Sequence, residues 1–409
     1  MKYLHPIMAK FDELQAVRYL LLGQLIFLMI STSLAVVAEI LVILLFLSFP
    51  VLRNRVRIVL RQPMVIMSLV WLGVVSLGVL YSLGPQGESI NILYSWRKLF
   101  LIPLAAAVFN DDTWKLKLVL TLLWTVMLAV VLSDLSWLLN VRIYKFPIGI
   151  VIHNHATQGM IFAVGAFAAA GLWRFKIPAF PAARWFLPAA VLLLSLNIVF
   201  ITPGRSGYLV FLVLAGLMVF VWTKGWQKYV FSSGLVVVLG IGLFISPVAR
   251  DRIMVGGKEI NSYEQDQNLT SMGIRRVMWQ NTWKAFLDKP LLGYGTGGFV
   301  EGYRRQVAGI PGWQGQVVAD PHNQFLRIAV EYGVLGLLVF LVFLGSFLRQ
   351  EVFGWARFLG LGVLVAWCAT SMFSAHFASF TEGRFIYLWC GALLAYVPST
   401  EHNAFDHLS

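Results

Sequence analysis

Long apolar runs separated by short polar clusters recur along nearly the whole chain, and about 20 apolar residues are enough to cross a bilayer as a helix. Read this way, the sequence predicts twelve membrane-spanning helices, at approximately 16–32, 33–51, 63–83, 97–110, 114–139, 156–173, 184–202, 206–223, 229–247, 324–347, 355–375 and 383–398. Only Ser31-Thr32-Ser33 divides the first two, and the fourth contains Pro103, which membrane helices tolerate. One long polar stretch interrupts the series. The expected organisation is therefore spans one to nine within 1–247, a large loop over 248–323, spans ten to twelve within 324–398 and a tail over 399–409. The fold class is an all-α polytopic membrane protein whose single large loop contains short helices. The first 17 residues are mixed polar with no small-residue cleavage site after them, so the first span is expected to direct insertion itself.

Charge gives the chain an orientation. Only 12% of residues are charged and 59% are hydrophobic, outside the soluble range of roughly 25% charged. The net charge of +13 does not point to nucleic acid, because the basic residues sit in short clusters between apolar spans. Membrane lipids and phosphate groups are the better partners. With the N-terminus inside, the short cytoplasmic segments carry sixteen Lys and Arg and the short external loops six, so both termini are expected in the cytoplasm. Arg142, His153, His155, Arg205, the 248–323 loop, His376, Glu382 and Arg384 then share the opposite face. In a bacterial inner membrane that face is periplasmic, where nucleoside triphosphates and nucleotide sugars are not normally available. Group transfer there would draw on an activated, membrane-borne donor. Cys368 and Cys390 lie inside apolar runs and read as small buried hydrophobes.

Several polar residues in this pattern carry chemistry. Asp320-Pro321 supplies an N-cap and a first-turn proline, which places His322 on the opening turn of the tenth span. The positive end of a helix dipole favours a neutral imidazole, suited to a general base; the alternative is an interfacial histidine bonded to a neighbouring loop. Arg327 and Glu331 are spaced as a structural ion pair. Arg205 follows a Pro203-Gly204 turn at the start of a helix, where guanidinium and backbone N–H groups together suit a phosphate; the alternative is an arginine reaching lipid headgroups. Arg275 and Arg276 open a loop helix whose Trp279, Trp283 and Phe286 are spaced as one apolar face. Arginine forks match diphosphate oxygens without a metal. Gly293 to Gly298 contains GxGxxG, but without a preceding strand it reads as a tight turn of close backbone approach, with Tyr294, Gly295 and Phe299 beside a groove. His153, His155 and Asn323 are further pocket-lining candidates. The nearest metal-type patterns, Asp111-Asp112, Glu264 with Asp266, and His153 with His155, lack a ligand set, so neither metal nor cofactor is expected.

Together these residues resemble the bacterial O-antigen ligases, a superfamily that also includes O-antigen polymerases and protein O-oligosaccharyltransferases. The resemblance rests on the Arg205 turn, R-x-x-x-W from Arg275 to Trp279, DKPLLGYGTGGF, and PHNQF followed by EYGVLGLL. It implies a GT-C-like fold and transfer of a finished O-antigen from undecaprenyl diphosphate to a sugar hydroxyl of lipid A core, without metal or nucleotide. It makes His322 the family's essential histidine, the general base. Arg205 and the Arg275-Arg276 pair become its essential arginines, binding diphosphate. Preorganised donors are worth roughly 3 kcal/mol each against developing charge, and a general base roughly 10²–10⁴-fold. Attack opposite the diphosphate implies inversion. The single large loop and short C-terminal region favour a ligase over a polymerase or protein-modifying branch. A lipid-linked sugar transporter would carry charges along its spans, whereas these cluster at one face.

Overall fold

The computed structural model describes residues 12–230, 233–234 and 271–396, and no strand occurs among them. The helices in chain order are α1 (Glu13–Ile30), α2 (Thr32–Ser48), α3 (Pro50–Val59), α4 (Pro63–Leu80), α5 (Gln86–Trp96), α6 (Leu101–Val108), α7 (Asp112–Leu138), α8 (His155–Arg174), α9 (Ala183–Phe200) and α10 (Arg205–Trp222). After the undescribed segment come α11 (Ser271–Asp288), α12 (Phe299–Val307), α13 (Gln324–Ser346), α14 (Gly354–Thr370) and α15 (Thr381–Leu393). The ninth expected span lies almost wholly outside the described residues, as do Glu264, Asp266 and the tail.

Among the described residues seven helices are long and apolar enough to cross a membrane, and the pair α2–α3, bent by 98°, makes an eighth if counted as one span. The expected fourth, eleventh and twelfth spans correspond to the shorter helices α6, α14 and α15, of 8, 17 and 13 residues. The fourth breaks for a local reason. Pro103 has no N–H to give and its ring crowds the carbonyl four residues back, that of Leu99, so α5 tightens into a 3-10 turn at Arg97–Phe100 before α6 begins. Pro50 ends α2 in the same way, by forcing Phe49 into an extended conformation.

α8 occupies the centre: 89% of its membrane-length window is buried. Its small residues allow this. A Cβ placed on Gly207 of α10 would lie 2.7 Å from the Gly159 Cα, so the two backbones touch as small-residue membrane helices do. The outer walls expose Leu44, Leu77, Leu128, Leu192, Phe220 and Leu338, the reverse of a soluble protein's surface and the face a bilayer requires. The buried carboxylate of Glu39 is paired, lying between Arg384, at 2.6 Å, and Arg97, at 3.5 Å. The chain is a polytopic membrane protein.

Side-chain bonds sort the helix ends into two groups. The starts of α8, α10, α13 and α15 meet at one end. There a Cβ on Gly204 would sit 2.6 Å from the His155 carbonyl oxygen, Thr157 Oγ1 donates to Glu382 Oε1 at 2.6 Å, and the Ala378 N–H donates to Gln324 Oε1 at 3.2 Å. The other end is tied by Arg18 to Asp111 at 3.0 Å and by Lys115 Nζ to the Ala395 carbonyl at 2.7 Å.

Candidate functional site

The glycine-rich turn is a clasp for α13. Tyr294 N–H donates to the Val330 carbonyl at 2.9 Å, Gly295 N–H to Glu331 at 2.7 Å and Thr296 N–H to Gly78 of α4 at 3.0 Å. The Val330 and Glu331 carbonyls are available because α13 breaks at Gly333, where φ is 65° and ψ is −167°. Leu291 passes so close to Gly333 that a Cβ there would lie 2.1 Å from the Leu291 carbonyl oxygen. The expected tight turn is therefore present. Tyr294, Gly295 and Phe299 do not line a groove, however: all three are buried, and Tyr294 and Phe299 pack with Ala285, Tyr303, Val307 and Val330 in a small core.

That clasp sets the start of α13, where His322 lies. The N-cap is Asn323, whose Oδ1 accepts the Leu326 N–H at 3.0 Å, so His322 precedes the helix instead of sitting on its first turn. The difference arises because Asp320 is engaged elsewhere. Its Oδ1 accepts the His322 N–H at 2.6 Å, holding His322 at φ 52°, and its Oδ2 takes Arg327 Nη1 at 3.0 Å. Arg327 Nε also reaches Glu331 Oε1 at 3.3 Å, the ion pair that the spacing suggested. Asn323 is thus used in capping and does not line the His322 cavity.

His322 itself is exposed and opens onto a cavity of about 410 Å³. One wall is Asp320, Gln324, Arg327 and Glu331; opposite stand Ser95 and Trp96 of α5 and Ser374 and Ser379 of the 371–380 segment. Behind that segment, Ser379 Oγ donates to Glu382 Oε2 at 2.6 Å, and His376, buried, hydrogen-bonds Thr370 Oγ1 at 3.3 Å. His376 reads as structural.

On the other side of the same helix start lies a second recess of about 450 Å³, lined by Arg275, Arg276, Trp279, Gln280, Trp283 and Leu326. Of the expected apolar face of α11, Phe286 rests against the small core of Tyr294 and Phe299, while Trp279 and Trp283 line the recess. Val277, Asn281, Thr282 and Ala285 are among its buried residues, while Trp283 is 50% exposed. Small residues fit the tight contact with α12 and α13, and the bulky indoles are left to line the recess beside the arginines. Trp279 Nε1 donates to the Pro321 carbonyl at 2.8 Å, tying this helix to the His322 turn.

Arg205 starts α10 with Gly204 as N-cap, as its position in sequence suggested. It stands at the same end of the bundle but lines neither recess. His153, at φ 37°, hydrogen-bonds the Leu28 carbonyl through Nε2 at 2.8 Å. His155 lines a separate cavity of about 410 Å³ with Trp137, Asn140 and Pro203. Neither histidine reaches the His322 cavity. Sequence reasoning did not find Trp96, Ser374 and Ser379, which lie some distance along the chain from His322 and belong to ordinary apolar or loop patterns. It also missed Asp320 as the holder of the His322 backbone.

Comparison with known proteins bears on this end of the molecule. Residues 190–341 match the family described as O-antigen ligase, a segment that contains Arg205, Arg275, Arg276 and His322. An uncharacterized protein of Haemophilus influenzae (strain Rd) is 26% identical over 149 residues, which is 35% of this chain and 37% of that protein. The match therefore spans little more than a third of the relative's length.

Proposed function

We propose, from the match of residues 190–341 to the family described as O-antigen ligase, that this chain is an inverting glycosyltransferase of that superfamily. It moves O-antigen polysaccharide from undecaprenyl diphosphate to a sugar hydroxyl of lipid A core at the periplasmic face of the bacterial inner membrane. The observation that carries the reading is the pair of recesses divided by one helix start. Leu326 faces the arginine recess, while Gln324 and Arg327 face the cavity of His322.

The chemistry divides accordingly. Arg275 and Arg276 hold the diphosphate through forked N–H groups, with Trp283 and Leu326 offering apolar surface to the isoprenoid. Arg205 adds a guanidinium at a helix start on the same end. The acceptor sugar enters the polar cavity, and His322 takes the proton of its hydroxyl as the oxygen bonds to the anomeric carbon. The bond from that carbon to the diphosphate breaks, and its electron pair leaves with the diphosphate, whose charge the arginines meet. No metal or nucleotide is called on.

The test is purified protein incubated with lipid-linked polysaccharide and lipid A core, donor alone, or a pilin-type protein. Polymer attached to lipid A core is the expected product; chain extension or protein modification would move the enzyme to another branch of the superfamily. His322→Ala and Arg205→Ala are expected to accumulate normally and transfer nothing measurable. Wild-type transfer by His322→Ala would remove the base assignment.

A further inference from the structure

We propose that Trp279 is a positioning residue that fixes His322 relative to the arginine recess, an inference that rests on the glycosyl-transfer reading. Three observations converge on this one side chain. Its indole lines the recess with Arg275 and Arg276, one helical turn away from the first of them. Its Nε1–H donates to the Pro321 carbonyl at 2.8 Å, immediately before His322. Its ring also lies 6.0 Å from that of Phe373, in the segment whose Ser374 and Ser379 form the far wall of the His322 cavity. Trp279 thus touches the diphosphate recess, the turn of the base and the wall of the acceptor cavity.

The turn needs such a tie. His322 is held at φ 52°, a region that costs a side-chain-bearing residue free energy, and its ring is exposed at the bundle's end. Asp320 holds the turn from the α13 side, through the His322 N–H and Arg327. Trp279 holds it from the α11 side, at the neighbouring peptide. A net hydrogen bond is comparable in size to the strain of such a backbone. Losing either tie lets the 321–322 peptide rotate to ordinary values and swings the imidazole away from the acceptor hydroxyl. Because the tie comes from the helix that carries the arginines, it also sets the distance between the leaving group's site and the base. A displacement on the scale of 1 Å is enough to slow such a reaction severely.

Trp279→Phe keeps the apolar ring and removes only the donor. In the purified, full-length protein with lipid-diphosphate-linked saccharide and lipid A core, kcat is expected to fall about 10- to 100-fold, with the donor KM and the melting temperature unchanged. Adding Asp320→Asn should then cost less than the product of the two separate losses, because both residues act on one turn. Replacing Trp279 by 3-benzothienylalanine, an isostere without the N–H, should reproduce the loss and decides the matter if the phenylalanine variant folds poorly. Wild-type kcat in both variants overturns the proposal. So does a raised donor KM at unchanged kcat, which would make Trp279 a ligand contact. Wild-type protein that transfers no saccharide would sink the glycosyl-transfer reading, and this proposal with it.

Discussion

His322 and His376 flank one cavity wall and are set apart by burial. His322 is exposed, whereas burial pushes the His376 imidazole below its ordinary pKa, against the opposing pull of Glu382 and Asp320. The folded protein therefore keeps His376 neutral where the unfolded chain would take a proton. Stability should be complete above about pH 6.5, decline as pH falls below it and level off beneath the folded pKa. Melting temperatures in detergent between pH 8 and pH 5 test this, and His376→Gln should flatten that decline. At this scale the positions of His322 and Arg205 beside a turn or helix start were legible in sequence. The role of Asp320 was not. A helix cap and an Asx-type turn use the same side chain, and only the position of Arg327 decides between them.

Among the helices, the most telling element is α13. The sequence reads as one continuous span, because a glycine within an apolar run is common in membrane helices. In the fold Gly333 breaks it, and the carbonyls of Val330 and Glu331 turn to the glycine clasp. Gly333→Ala places a Cβ at φ 65° and against the Leu291 backbone, so neither strain nor clash can relax cheaply. The expected outcome is a loss of several-fold or more in accumulated folded protein, measured by size-exclusion profile in detergent. Accumulation at the wild-type level would show that the clasp is dispensable. α11 teaches a related lesson: its spacing identified an apolar face correctly, but small residues won the packed side because α12 and α13 approach closely. Trp279 and Trp283 were thereby left to line a recess.

For the whole molecule, the starts of α8, α10, α13 and α15 converge on one end, bringing positive helix ends and Arg205 to the same surface as the two recesses. The proposed periplasmic placement of that end can be checked on a cysteine-free background. A membrane-impermeant maleimide should label Ala308→Cys once the outer membrane is opened, and Lys224→Cys only after the inner membrane is breached. The opposite pattern would reverse the orientation.

By itself, the sequence determined that the chain spans a membrane, roughly where its helices run, and which residue types could meet an anion or take a proton. These properties depend on local composition and short-range spacing, because a bilayer enforces helices wherever the chain is apolar. Tertiary structure alone decided that Arg275 and Arg276 open on one side of a single helix start and His322 on the other. It also assigned Trp279 to hold them together and sent Tyr294, Asn323, His153 and His155 to other tasks. Those outcomes turn on contacts between segments far apart in the chain, where packing and hydrogen-bond competition set each side chain's direction, and residue identity leaves that direction open.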